Sequence, residues 1–371
     1  MEDYASLPCT IEEVVELLSI PVVRQEGDRL VCRCPFCEDR RGHLEVDCRK
    51  DVFHCHRCGT GGGVLHLYAF ARDVSLGRAG AELREIFQGG GAAAAGTIRP
   101  RVRVPVRTEP EMAPAEVRDA AYTQLFARLR LCGAHRTALE KRGMSAEDIA
   151  WSGYRTTPAV RRERLAEELL ESGCTLEGVP GFYRLENGMW QLDIRGGGIL
   201  LPDRNARGQI EAVQIRLDDT RRCKYNNLTS RGRPGGTGGH CCPHFVGVQP
   251  GAEQVVLTEG ILKADLTHRF TADLGCPLGV VGLTGAGMKG QLRRALEELE
   301  ALGVGKILLA YDMDFLTNDA VAMNRRYALE TGRSRGFAVT ALRWTDRWKG
   351  MDDVLLAIRQ HEDAVIRVED V

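Results

Sequence analysis

The sequence predicts an α+β multidomain protein. A cysteine-rich N-terminal module is followed by a linker, a mixed α+β segment and a C-terminal α/β unit with a parallel central sheet. Three observations carry this reading. Two Cys-x-x-Cys pairs lie within the first sixty residues. A run of glycine, alanine and proline interrupts all periodicity from Gly89 onward. From Gln254, short apolar runs alternate with helical stretches at the spacing of a parallel sheet.

Residues 1–88 form the first expected module. A short helix around Ile11–Leu18 precedes Pro21, a cysteine-rich hairpin pattern runs from Val31 to Gly63, and a helical stretch covers Val64 to about Phe87. Residues 89–115 read as a linker, flexible first and stiffer where Pro100, Pro105, Pro110 and Pro114 fall. Arg99, Arg101, Arg103 and Arg107 make its middle basic, which suits either a solvated linker or a tether that touches phosphates. Residues 116–250 open with helices, with Ser145 as an N-cap ahead of Glu147 and Asp148. They then turn to short strands from Gly181 to Leu228. In residues 251–371, VVLTEG, GVVGL, KILLAYD and FAVTAL are the expected parallel strands.

Composition excludes several classes. The chain has 371 residues, 43% of them hydrophobic and 27% charged, which is enough for two or three globular cores. No run of 18 apolar residues exists, so no membrane span or membrane partner is expected. The acidic start lacks a basic segment leading into an apolar run, which reads as cytoplasmic. Net charge is −1, so any nucleic-acid footprint must be local. Thirteen cysteines, an odd number, without a secretory signal favour metal ligation over disulfides.

The metal pattern is Cys34-Pro-Phe-Cys37, seventeen residues, then Cys55-His-Arg-Cys58. This is the C-x2-C spacing of a tetrahedral zinc site, and four thiolates close it as a structural centre with no open position for hydrolysis. The run His240-Cys241-Cys242-Pro243-His244 also carries ligand types. Adjacent cysteines chelate awkwardly, and a glycine-rich loop that holds them is the reading carried forward.

The chemical site is expected at the carboxyl ends of the parallel strands, where open α/β sheets bind ligands. Glu259 ends VVLTE, Asp312 and Asp314 follow KILLAY, and Asp265 lies about a helical turn beyond Glu259. Clustered carboxylates repel, and Mg²⁺ or Mn²⁺ relieves that repulsion while activating an attacking oxygen. The turn Gly282-LTGAGMKG lacks the Gly-Lys-Ser/Thr ending of a nucleotide-binding loop, so built-in helicase or NTPase activity is not expected.

These motifs, in this order over about residues 8–345, resemble the bacterial DnaG-type primases. CPFC followed by FHCHRCGTGGGVLHL is similar to the primase zinc ribbon, with Cys37 where those proteins usually carry His. LEKRGMSAEDIAWSGYR is similar to the segment that opens the primase core, and GGGILLPDRNARGQIEAVQIRLDD followed by CKYNN resembles its basic strands. Thr258-Glu259-Gly260 with Asp312 and Asp314 resembles a Toprim domain, in the variant found in phage, plasmid and integrative elements.

The resemblance implies a zinc-ribbon module, a primase-like core subdomain and a Toprim domain. It implies template-directed synthesis of short RNA primers on single-stranded DNA from ribonucleoside triphosphates, with structural Zn²⁺ on Cys34, Cys37, Cys55 and Cys58. Glu259, Asp312 and Asp314 become the catalytic carboxylates that hold Mg²⁺ or Mn²⁺, and Asp265 matches an assisting acidic residue. Arg216 and Lys224 line the face that meets template or nucleotide phosphates, with Asn227 nearby. Lys263 is a further candidate for neutralising triphosphate charge, against the plainer reading of a helix-surface lysine. Phe53 or Tyr68 would stack on bases. KGMDDVLLAIRQ reads as the acidic helix closing the Toprim unit. Too few residues follow it for a helicase-binding bundle, so a replicative helicase would be a separate partner using another surface. Two other readings stay open: a Toprim nuclease of a phage or plasmid conflict system, and a non-catalytic replication adaptor. Topoisomerase chemistry needs a further large domain carrying a nucleophilic tyrosine, for which the chain has no room.

Overall fold

A computed structural model describes residues 7–36, 42–56, 60–72, 74, 76–88, 110–221, 223–284 and 289–369. The expected ligands Cys37 and Cys58, the arginines of the expected linker and the turn after Thr284 lie outside the described residues. The chain divides into two compact units, Met1–Thr108 and Glu109–Val371.

The first unit contains α1 (Ile11–Leu17), β1 (Val22–Glu26), β2 (Arg29–Cys32), β3 (Leu44–Asp47), β4 (Val52–Cys55), β5 (Gly61–Gly63), α2 (Val64–Arg72) and α3 (Leu76–Gln88). Thr10 and Glu13 start α1 with a reciprocal capping box: the Thr10 hydroxyl accepts from the Glu13 amide at 3.3 Å, and the Glu13 carboxylate accepts from the Thr10 amide at 2.7 Å. The strands form an antiparallel sheet in chain order. Period-two alternation sends Leu30, Cys32, Leu44, Val46, Phe53 and Cys55 to the face that packs with the helices. The expected helix over Val64–Phe87 is two helices, because the Val74 amide bonds back to the Ala69 carbonyl at 3.1 Å and ends α2.

Two stacking candidates fall in this core. Phe53 and Tyr68 are buried, and the Tyr68 hydroxyl donates to Glu82 at 3.1 Å. Both fill the core, and neither presents a face to a base.

The second unit opens with α4 (Ala115–Arg128), α5 (Gly133–Glu140), α6 (Ala146–Ser152), β6 (Arg155–Thr156) and α7 (Arg162–Glu171). Ser145 caps α6 in a box with Asp148, and Gly153 ends that helix at φ +71°. The hairpin β7 (Phe182–Arg184) and β8 (Trp190–Leu192) follows. Then come β9 (Gly198–Arg204), β10 (Ile210–Leu217) and β11 (Tyr225–Asn227), which with β6 make an antiparallel sheet in the order β11-β10-β9-β6. Ala113 belongs to the core under this sheet, and its amide donates to the Gly178 carbonyl at 2.9 Å. The end of the expected linker is therefore already part of the second unit.

The rest is β12 (His244–Val246), β13 (Gln254–Glu259), α8 (Ile261–Asp273), β14 (Gly279–Leu283), α9 (Lys289–Ala301) and β15 (Lys306–Leu309). A 3-10 turn at Met313–Leu316 leads to α10 (Asp319–Ser334), β16 (Ala338–Arg343), α11 (Met351–Arg359) and β17 (Arg367–Glu369). The sheet order is β12-β14-β13-β15-β16-β17. The expected strands β14, β13, β15 and β16 are mutually parallel, and β12 and β17 add antiparallel edges. Alternate residues of β13 face opposite layers: Val256 joins α8 and α11, while Val255 and Leu257 join α9 and α10.

The expected division at 250/251 does not separate two bodies. β12 lies before it and belongs to the later sheet. Leu139, Met144, Ile149 and Leu201 share one core with α8 and α11. Glu211 of β10 is a further tie, pairing with Arg118 of α4 and with both terminal nitrogens of Arg294 on α9. Burial alone would raise the Glu211 pKa, but His240, Arg294 and Arg118 outweigh it and hold the carboxyl well below its usual range.

Candidate active site

Register brings the carboxylates together. β13 and β15 are parallel neighbours with Leu257 opposite Leu309. The Ala310 amide donates to the Leu257 carbonyl at 2.9 Å, and the Thr258 hydroxyl donates to the Ala310 carbonyl at 3.0 Å. Glu259, which ends β13, and Asp312 and Asp314, which follow β15, therefore leave the same edge of the sheet side by side. Gly260 turns the chain into α8 at φ +77°, a conformation open to glycine. Gly282 on β14 lets that turn pass, since a Cβ there would sit 2.6 Å from the Gly260 carbonyl oxygen.

Lysines are interleaved with these carboxylates. Asp312 is 3% exposed, and the Lys263 ammonium donates to both of its oxygens. Lys349 donates to Asp314 and lies 4.0 Å from Asp312. Glu259 Oε1 is buried without a hydrogen-bond partner. Burial and the neighbouring Asp312 charge push the Glu259 carboxyl up, Lys263 restrains the rise, and Asp314 adds to it. Among the described residues no three His, Cys, Asp or Glu side chains form a ready cation cage. The two lysine pairs differ in strength. Lys349 and Asp314 are both half-exposed, and such pairs contribute about 0–1 kcal/mol. Lys263 and Asp312 are largely buried, and removing one partner of a buried pair costs about 3–5 kcal/mol.

A basic row faces this edge. Arg216 on β10 stands opposite Tyr225 on β11, and its Nε is buried without a partner. The Lys224 ammonium sits 5.5 Å from the centre of the Tyr225 ring. Burial lowers the Lys224 pKa, and Arg142, Arg216, Lys263 and Lys349 lower it further, which puts five cations in one field. Arg142 also pairs with Asp352, whose carboxyl is raised by burial and only partly offset by that guanidinium. Asn227 directs its amide to Cys241 Sγ at 2.8 Å.

Arg142, Lys349 and Asp352 were not singled out from the sequence. Each had a faint signal: Arg142 sits in LEKRGMS, and Lys349 and Asp352 in the KGMDD run that opens α11.

Asp265 departs from its expected place. It lies two residues past Lys263, about 200° around α8, and so faces away from Asp312. Its carboxylate accepts from the Tyr154 hydroxyl and from His244 Nε2 at 3.0 Å, all three groups being buried. Asp203 and Asp265 both pull His244 toward its charged form, but its Nδ1 accepts the Arg204 amide at 3.0 Å while Asp203 stays at 3.6 Å. The shorter contact decides for a neutral ring with the proton on Nε2. Asp265 thus joins buried β9, β12 and α8 through a hydrogen-bond network of its own, separate from the Lys263–Asp312 and Lys349–Asp314 pairs. Asp265→Asn should lower the unfolding midpoint by several degrees while leaving Mn²⁺ affinity within about twofold, measured by thermal melts and calorimetric titration. A large loss of Mn²⁺ binding in a folded variant would restore the sequence expectation.

The run His240–His244 disperses. His240 meets Arg118, Cys241 meets Asn227, Cys242 is buried, and His244 belongs to the Asp265 network.

In the first unit, β3 pairs Leu44 with both Cys32 and Cys55, so Cys34, just past β2, and Cys55, at the end of β4, leave the sheet at one edge. Both are buried, and the Phe36 amide donates to Cys34 Sγ at 3.4 Å, a contact that supports a thiolate. These two donors fit a zinc site. Residues 7–88 match the family described as the CHC2 zinc finger, the zinc ribbon of DnaG. Over this segment the chain is similar to the DnaG-type primases. It is 26% identical over 305 residues to a DNA primase of Deinococcus radiodurans, covering 77% of this chain and 47% of that one. The chain therefore spans about half the length of this curated primase. Among solved structures it is similar to the Aquifex aeolicus primase zinc-binding and RNA polymerase domains, at 16% identity and TM-score 0.49, over 97% of this chain and 84% of that one. It is also similar to the RNA polymerase domain of the Mycobacterium tuberculosis primase DnaG, at 16% identity and TM-score 0.49, over 67% and 80% of the two chains. Among the described residues no helix is long and apolar enough to cross a membrane.

Proposed function

We propose that the chain is a DNA primase that builds short RNA primers on single-stranded DNA from ribonucleoside triphosphates. The observation that carries this reading is the meeting of Glu259, Asp312 and Asp314 at adjacent parallel strand ends, opposite a row of basic side chains. A carboxylate centre alone would suit hydrolysis equally well. The basic row supports handling of a triphosphate and a template beside it.

Glu259, Asp312 and Asp314 would hold Mg²⁺ or Mn²⁺, and the buried, unpartnered Glu259 Oε1 is a fitting donor. Such an ion neutralises phosphate charge and makes a hydroxyl a better nucleophile. The chain's own side chains do the rest. Arg216 and Lys224 take the phosphates, and Arg142 adds to their field from its place on Asp352. Lys349, exposed at the rim, exchanges Asp314 for incoming phosphate at little cost. Asn227 stands beside Lys224 as a polar neighbour of the same strand pair. The zinc ribbon would hold its four thiolates on one Zn²⁺ and engage single-stranded template.

Incubating the zinc-loaded chain with single-stranded DNA, labelled ribonucleotides and Mn²⁺ tests this reading. New short oligomers are expected. A shortened template without incorporation would replace synthesis with cleavage, and neither product would leave binding alone.

A further inference from the structure

Lys263 sits among carboxylates proposed to bind divalent ions, yet it points inward. Its ammonium contacts both oxygens of Asp312, so neither oxygen of that buried carboxylate is free. Its stem is held as well. A Cβ on residue 350 would lie 3.4 Å from Lys263 Cδ and 3.3 Å from Asp312 Oδ1, so the Gly350 backbone covers the pair closely. The Met313 amide donates to the Lys349 carbonyl at 2.9 Å and fixes that cover beside Asp312. The neighbouring Lys349–Asp314 pair has no such cover and is half in solvent. Two carboxylate oxygens in the buried part of this centre have no hydrogen-bond partner, Glu259 Oε1 and Asp352 Oδ1. Asp352 is already paired with Arg142 through its other oxygen, whereas among the described residues Glu259 has no such cation bonded to it.

We infer that Lys263 is a built-in counter-ion, a positioning residue that takes the place of one divalent cation on Asp312, so that the centre accepts a single metal ion at Glu259 and Asp314. This rests on the proposed reading of the carboxylate centre and narrows it. An incoming ion displaces the weakly held Lys349 and leaves the covered Lys263 where it is. The fixed ammonium holds the Asp312 carboxylate in one orientation, and it sets a positive charge against the triphosphate without needing a second ion.

The test is Mn²⁺ binding to the full, zinc-loaded chain, followed by electron paramagnetic resonance of free Mn²⁺ with no nucleotide or DNA present. Wild type is expected to take up one Mn²⁺. Lys263→Met frees Asp312 and should either add a second Mn²⁺ or tighten binding by about tenfold or more, the scale of one removed like charge at close range. Lys263→Arg keeps the charge and should behave as wild type. Two Mn²⁺ per wild-type chain would overturn the inference without any variant, and so would a folded Lys263→Met chain with unchanged number and affinity. In both cases the carboxylate reading survives. Uptake indifferent to Glu259→Gln, or no uptake in any of these chains, would remove that reading itself and the inference with it.

Discussion

Asp312→Asn is expected to reduce primer synthesis by about a thousandfold or more while leaving single-stranded DNA affinity within a few-fold. The substitution keeps the shape of the side chain and removes its charge. Three consequences follow from the geometry. A cation at the strand ends loses one of the charges that attract it, and Glu259 loses the like charge that raises its pKa most, so its carboxyl becomes easier to ionise. Lys263 then sits largely buried opposite a neutral amide, a loss that lowers stability by about 3–5 kcal/mol unless the lysine moves out. In the proposed reading DNA affinity rests elsewhere, on Arg216, Lys224, Arg142 and the exposed Lys349. Primer yield, filter-binding affinity and a thermal melt, measured together, separate these effects. Synthesis at near wild-type rate in a folded Asp312→Asn protein would place the chemistry outside these strand ends. A parallel collapse of DNA affinity would mean that Asp312 organises the basic row rather than the reaction.

The parallel strands were legible because each is a short apolar run, and the carboxylates because two of those runs, VVLTE and KILLAYD, lead directly into acidic residues. Glu259 and Asp312 need only parallel neighbours to meet, and β13 and β15 are such neighbours. The edge strands β12 and β17 were not legible, since three residues carry no period. The same limit hid the domain boundary, because β12 lies on the far side of the place where composition changes.

Side-chain direction was the other blind spot. Asp265 has the right spacing from Glu259, but spacing along a helix leaves the face open, and Tyr154 and His244 compete for its oxygens. Phe53 and Tyr68 looked available for stacking because aromatic residues serve cores and nucleic acids equally well. Phe70, which lies in the same helix as Tyr68, is exposed and stands edge-on to Phe36 at 6.2 Å. Lys263–Asp312 and Arg142–Asp352 join residues 49 and 210 positions apart, a range at which no local pattern operates.

Cys55→Ser is expected to release zinc and unfold the first unit, leaving the melting of residues 110–369 unchanged. The physical basis is the size of what remains without the metal. The sheet of that unit is built from strands of three to five residues, and β5 is three glycines that bury no side chain. Its core is supplied by one sheet face and three short helices, a scale at which small domains need an added cross-link. A structural zinc site contributes about 10–16 kcal/mol in small metal-dependent folds, far more than such a core retains in surplus. Cys55 is fully buried at the end of β4, so a serine there also leaves a hydroxyl to desolvate beside Leu44. Zinc content by mass spectrometry and limited proteolysis of the full chain report the two events separately. Primer synthesis on a bare single strand should fall with them, whereas Mn²⁺ binding at the carboxylates should not. A variant that keeps one zinc per chain and resists proteolysis would transfer the ligand role to Cys32 or Cys48, the other described cysteines on these strands and turns.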